Sequence, residues 1–585
     1  MWKTCGLWLA ATVGLSAGNL ADLPHPRLWF PKSEEARVQA LLKNDPLAAE
    51  LQKVTLERAR SALKERTCHY EIPDGLRLLG ESRKALRTIM NCGWAWRTTG
   101  DEIFRLRVIE ELKAACALKD WNPKHFLDVG EMATAVATGY DWLYPTLTPE
   151  QREMCEKAII EKALKPAKAV FDKGGWWAKP GNNWSQVCGA GIALSAAAIA
   201  GHDEGFSEEL FGRGLKLVEA CSHFYQPDGM YPEGPAYWHY GTNFHVLMLA
   251  ACGPLQRTCD APPIMEKAGD SIMHLTSTTR MNYNFADGGV AKESPSPAQC
   301  WLAGHFKNAT QVRHVRSLFL RALAEDKRKV QGDRYDPLSI LWLPGEVKSG
   351  TEAPNGAVFH GEQAMALFRS GWKPDDAWFA IKGGTAAASH GHMDVGSFVY
   401  DAHGERWIHD LGSENYNLPG YFGGKRWTYY RLQNRSHSTL EIGGQLQNAK
   451  AKPCPLVSSS VSGNPLTAEF DLTDAYADSA GKVRRSASFD VTTGSVLLKD
   501  EIEAPSGDIV WRAITDAEVK IEGENVTLTK KGRSVSLKRI SSEGAWTVSD
   551  SKPPTAEENQ NKGFQNLEFR IPRTDKVVIT VQIRP

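Results

Sequence analysis

The chain has 585 residues, 42% of them hydrophobic and 24% charged, which supplies large cores and excludes a disordered chain. Its 69 basic and 69 acidic residues cancel, so no overall excess points to nucleic acid and no acidic tail appears. Nineteen Trp exceed the 15 Tyr and nearly equal the 20 Phe, a usage that suits sugar-stacking clefts as well as ordinary cores.

The N-terminus places Lys3 before the apolar run CGLWLAATVGLSAG, followed by polar, Pro-containing sequence. A short cationic start, a run too short to span a bilayer and the small residues Ser16, Ala17 and Gly18 predict a secretory signal peptide over residues 1–21. The mature protein is then expected to be secreted or periplasmic. No other segment is apolar for long enough to predict a membrane span. Of the remaining cysteines, Cys252 and Cys259 form the closest pair, and there is no CxxC or zinc-knuckle spacing.

From about residue 33 to 325 the apolar period is helical, in runs such as FRLRVIEELKAACAL, FLDVGEMATAVATGYDWLY and NNWSQVCGAGIALSAAAIAG. Ser33 is the expected cap of EEARVQALL, and TLTPEQREM carries a Thr cap with Pro in the first turn. Short turns between helices favour antiparallel helical hairpins. The stretch 341–356 is rich in Pro and Gly and reads as a linker. Beyond it the period becomes two, as in AMALFRSGW, AWFAIKGG, SASFDVTTGSVLLKDEIEA and VVITVQI. Helices followed by strands predict segregated domains: an α+β multidomain chain, helical over 22–345 and antiparallel β over 346–585.

Three constellations can carry chemistry. In GNNWSQ, Asn182 and Asn183 precede a long helix, where Asn either caps the helix or donates an amide to a substrate carboxylate. DGMYPEGPAYWHYG crowds Tyr231, Tyr237, Trp238, His239 and Tyr240 around a Gly-Pro break. SHGHMDVGSFVYDAHGERWIHDLG, with RSHSTL after it, brings His390, His392, Asp410 and His437 around one hairpin. Two His and an Asp can form a three-ligand zinc set with an open position.

These segments, together with HPRLWF at 25–30 and HFLDVGEMATAVATGYDWLY at 125–144, resemble the heparinase II/III superfamily of polysaccharide lyases, which also contains alginate oligomer lyases. The resemblance implies an incomplete (α/α) toroid followed by an antiparallel β-sandwich, and β-elimination on a uronic-acid polysaccharide. By that resemblance Asn183 neutralises the uronate carboxylate, Tyr237 is base and acid, and His390 assists in the cleft. His392, Asp410 and His437 match metal-ligand positions, with zinc in a structural role. Tyr240 is the runner-up for the catalytic Tyr. Trp184, Trp238, His239, Tyr240, Tyr429, Tyr430 and Arg431 are candidate substrate contacts. Several relatives have His directly after the neutralising Asn, where this chain has Trp184, which neither neutralises a carboxylate nor acts as a base. A single-Tyr mechanism is then the one implied.

The implied partner is an anionic polysaccharide, with a glycosaminoglycan such as heparin, heparan sulfate, chondroitin or hyaluronan favoured. Alginate or another uronan oligomer is the alternative. Two readings from other classes are a catalytically silent glycan-binding protein and an (α/α)-barrel glycoside hydrolase, which needs two facing carboxylates drawn from Glu131, Glu233 and Asp287. The segment KRWTYYRLQNR, with Lys425, Arg426, Arg431 and Arg435, is a candidate basic patch within a neutral chain.

Overall fold

The computed structural model describes residues 18–585 except 202, 204, 260, 328, 329, 331, 348–351 and 542. The signal-peptide reading therefore falls largely outside the described residues, as does part of the expected linker. No described helix is long and apolar enough to cross a membrane.

The N-terminal part is helical and the C-terminal part is built of antiparallel sheets, in the order expected from the change of period. Thr148 closes a capping box with Gln151 over the helix Pro149–Ile159, and Pro149 occupies its first turn. Ser33 does not cap its helix. It lies inside a 3-10 turn, Lys32–Glu34, and the helix Glu35–Asn44 follows directly, with Glu34 at its cap position. Cys252 and Cys259 form a disulfide.

Small residues govern the helix packing that places the N-terminus of Asn183–Ile199. A Cβ at Gly191 would lie 2.4 Å from the carbonyl oxygen of Gly130, on the helix Phe126–Leu143. Only glycine lets these two helices approach so closely, and the Ala-rich run GAGIALSAAAIA is buried along its length. The far end of Phe126–Leu143 is tied to the N-terminal segment, where buried Asp141 accepts from the backbone N–H groups of Arg27 and Leu28 at 2.8 and 3.0 Å.

The strands Gly356–Phe359, Met365–Arg369, Trp378–Lys382, Phe398–Ala402 and Glu405–Ile408 form a five-stranded antiparallel meander. A period of two predicts apolar residues alternating with polar ones along these strands. Both faces are in fact buried. Met365, Leu367, Trp378 and Ala380 pack on helical-region residues such as Tyr225, Met230 and Val246. Ala366, Phe368, Phe379 and Ile381 pack on the eight-stranded sheet, against residues such as Phe470 and Val581. The meander is thus the middle layer, and its strands read as nearly continuous apolar runs for that reason. Its buried charges have partners: Lys382 pairs with Asp394, Arg406 with Asp401 at 2.7 Å, and Arg369 donates to the His274 carbonyl at 3.0 Å, while Glu405 at its edge pairs outward with Lys531. The eight-stranded sheet and a four-stranded sheet complete the sandwich. Between Ile408 and Leu440 the chain makes a long excursion with its own small core of Leu418, Tyr421, Tyr429 and Leu432.

Candidate active site

A cleft of about 880 Å³ lies between the helical part and the sheets. Its helical wall carries Arg83, His125, Asn183, Trp184, Tyr237 and Tyr240, and its β wall carries Ser389, His390, Tyr416, Phe422, Arg426 and Trp427.

The two adjacent asparagines divide the two roles considered for them. Asn182 caps the helix, its side chain accepting from the Trp184 N–H at 3.0 Å. Asn183 faces the site. Its backbone N–H and its Nδ2 donate to the two oxygens of Glu233 at 2.7 and 2.6 Å. Glu233 is 3% exposed and also accepts from the Tyr231 hydroxyl at 3.2 Å and from Ser389 Oγ at 3.3 Å. Burial raises its pKa, opposed by the charge of His390 and by the Asn183 hydrogen bonds.

Tyr237 ends the short helix Pro235–Tyr237, and a π-turn over Trp238–Thr242 follows, an irregularity common where helices serve sites. The Tyr237 ring stacks on His390 at 3.9 Å between centroids, and its hydroxyl shares a 2.7 Å hydrogen bond with the Tyr416 hydroxyl. Burial pushes the Tyr237 phenol well above its usual range, and the bond from Tyr416 works against that. Tyr240 also lines the cleft, with Arg83 and Arg334 over its ring at 4.8 and 5.2 Å.

His390 has φ 62°, the left-handed region, which costs a non-glycine residue roughly 1–2 kcal/mol. Two carboxylates hold it there. Its Nδ1 bonds Asp287 at 2.7 Å and its Nε2 lies 3.6 Å from Glu233. Both ring nitrogens are thus aimed at carboxylates, and the Tyr237 ring is met by the imidazole face. Asp287 also accepts from His392 Nε2 at 2.9 Å and from the Tyr421 hydroxyl at 2.6 Å. Against the cost of burial, the bonds from His390 and His392 and the charges of His392 and Arg426 hold its carboxyl far below the usual carboxylate range. The carboxylates considered for hydrolysis are all engaged: Glu233 and Asp287 on His390, and Glu131 with Arg83 and Arg334.

His392, Asp410 and His437 are brought together behind the cleft, buried. His437 Nδ1 lies 3.0 Å from Asp410 Oδ2, its Nε2 lies 3.0 Å from the Arg431 carbonyl, and the two imidazole centroids are 5.5 Å apart. His392 Nδ1 is buried with no hydrogen-bond partner. A tighter gathering of ligand atoms is His69, Glu71 and Glu81, where the Arg66 guanidinium already sits on both carboxylates.

Several sequence expectations are corrected. Trp238 is 0% exposed, with its indole N–H donating to the Ala268 carbonyl, so it is core. His239 pairs with Glu293 at 3.2 Å and lines a separate cavity. Tyr429, Tyr430 and Arg431 are not on the cleft. The Tyr429 hydroxyl donates to the Pro419 carbonyl, the Tyr430 N–H to Glu558, and Arg431 to Asn561 and the Ser413 carbonyl. Of the expected basic patch only Arg426 lines the cleft, while Arg435 lies beside Glu441. Trp184 does line it. Sequence reasoning missed Tyr416, Phe422 and Trp427, which sit on the irregular excursion where no period marks a side.

Residues 363–583 match the family model of the heparinase II/III-like C-terminal domain. The fold is similar to a crystal structure of heparinase III, at 14% identity over 91% of this chain and 85% of that one, with TM-score 0.64. It is also similar to heparan sulfate lyase HepC from Pedobacter heparinus, at 14% identity over 95% and 88%, with TM-score 0.59. A Paenibacillus xanthan lyase is similar at 10% identity over 95% and 60%, with TM-score 0.52. No curated protein matches the sequence.

Proposed function

We propose that this chain, with its heparinase II/III-like C-terminal domain and heparinase III-like fold, is a polysaccharide lyase that cleaves a uronic-acid glycan by β-elimination, a glycosaminoglycan being the favoured substrate class. The observation that carries this reading is the convergence of Asn183, Tyr237 and His390 on one cleft.

An amide nitrogen carries two N–H donors. One from Asn183 is on Glu233, which leaves one for a substrate carboxylate. A fixed donor there lowers the charge of the uronate and stabilises the enolate-like species formed when the alpha proton leaves. Tyr237 takes that proton and returns a proton to the departing glycosidic oxygen, as one group serving both steps. His390, stacked beneath the phenol and locked by its carboxylates, orients Tyr237 and supplies positive charge to the phenolate when the imidazole is protonated. The engaged state of Glu131, Glu233 and Asp287 leaves no free facing pair for hydrolysis.

His392, Asp410 and His437 are the proposed zinc ligands. The donor set of two imidazoles and a carboxylate suits zinc. His392 Nε2 bonds Asp287 and His437 Nε2 bonds a backbone carbonyl, an outer-nitrogen pattern that leaves His392 Nδ1 without a partner and turns His437 Nδ1 to the third proposed ligand, Asp410. When bound, the ion would brace the segment that presents His390. Export is the proposed location, on the N-terminal sequence alone.

Incubation with heparin, heparan sulfate, chondroitin sulfate, hyaluronan and alginate tests the reading. An ultraviolet-absorbing unsaturated uronate is expected from at least one. Its absence from all five rejects the lyase.

A further inference from the structure

His125 lines the cleft, yet the chemistry above leaves it unused. Its surroundings are built. Asp128, 0% exposed, accepts from His125 Nδ1 at 2.7 Å on one oxygen. The other oxygen accepts from the Leu78 N–H and from Asn122 Nδ2, both at 2.7 Å. Asn122 in turn donates to the Leu76 carbonyl at 2.8 Å. One buried carboxylate thus fixes both the imidazole and the loop that carries Leu76 and Arg77 along the cleft.

With Nδ1 committed to Asp128, the ring presents Nε2, which has no hydrogen-bond partner among the described residues. The ring meets Trp184 edge-on at 4.7 Å. Trp184 continues to Trp176, also at 4.7 Å between centroids. Trp176 is 59% exposed, unusual for an indole with neighbours available to cover it. An imidazole nitrogen beside two indoles matches a sugar that carries an acidic group at its edge and apolar hydrogens on its face.

We propose that His125, Trp184 and Trp176 form a second sugar subsite on the helical wall, in which His125 binds the carboxylate or sulfate of a saccharide unit adjoining the one cleaved. Asp128 is its positioning residue. The ligand class rests on the uronan-lyase reading.

The test is calorimetric binding of hexasaccharides from heparan sulfate, chondroitin sulfate, hyaluronan and alginate to the Tyr237→Phe protein, where turnover does not intervene. Adding His125→Ala is expected to weaken Kd about tenfold, the loss of one charge-assisted hydrogen bond. Adding Trp176→Ala, at an exposed position that leaves folding intact, weakens it about threefold. In the otherwise wild-type enzyme His125→Ala raises KM with kcat nearly unchanged, and His125→Gln recovers part of the loss. Carboxyl-reduced hexasaccharides separate the two sources: dependence on His125 disappears for a carboxylate and persists for a sulfate. Kd values within twofold of the parent for both added variants overturn the subsite. So does a fall in kcat at constant KM, or failure of every hexasaccharide to bind. Binding that depends on His125 without any unsaturated product keeps the subsite and removes the lyase chemistry instead.

Discussion

Asn183 and Glu233, fifty residues apart, are joined by two hydrogen bonds that use both carboxylate oxygens and both the backbone and side-chain N–H of the asparagine. The pairing fixes the amide plane at the start of a helix whose next turns are wedged against Gly130. Glu233→Ala frees that plane. We expect kcat to fall about a hundredfold, the scale for losing one fixed donor in an anion-stabilising site. Glu233→Gln, which keeps one acceptor oxygen, should fall less. Steady-state kinetics of the two variants decide it, and equal kcat in all three proteins would remove Glu233 from this role.

Tyr237→Phe deletes the only atom through which that residue exchanges protons. The expected loss in kcat is about a thousandfold, within the range for general acid–base groups. Binding of polysaccharide fragments should remain, since the ring and its stacking on His390 are kept. Retained turnover would transfer the assignment to Tyr240.

Burial holds the Tyr237 phenol protonated at neutral pH, so the base form grows as pH rises. kcat/KM is therefore expected to climb from neutral into alkaline pH. The Tyr416 hydroxyl bond favours ionisation, and Tyr416→Phe should move the climb to higher pH. A pH–rate profile that is identical in both proteins would show that another group controls the rate.

Metal analysis of the purified protein is expected to find about one zinc per chain, the occupancy of a single three-ligand site. Chelation, or His437→Ala, should lower Tm by about 5 °C, corresponding to ~2 kcal/mol in a large domain. Activity should fall only as far as His390 is displaced. A metal-free protein with full Tm and full activity would exclude the ion.

Gly191→Ala places a methyl group against the Gly130 carbonyl and is expected to destabilise the helical part by about 1–3 kcal/mol, seen as a lower Tm. An unchanged Tm would mean that the two helices separate at no cost.

The amino-acid sequence made the order of the two halves legible, because a period of 3.6 and a period of 2 are local properties of the chain. It also determined the residue types at Asn183, Tyr237 and His390, and the short-range set around the 398–408 hairpin. Tertiary structure decided which aromatic residues reach the cleft. Trp184 and Trp238 each directly follow a proposed site residue in the sequence, yet one lines the cleft and the other is fully buried, since burial depends on which layers meet. The middle sheet shows the same limit: its strands are buried on both faces, and covering by helices on one face and strands on the other is invisible to a one-dimensional pattern. The roles of Glu233 and Asp287 are the sharpest case. In sequence they are two acidic residues among 69, and only folding sets them on either edge of His390. The neutral total charge likewise said nothing of the cleft, because what governs a site is which charges lie within a few ångströms of it, and the chain brings those together from more than 100 residues apart.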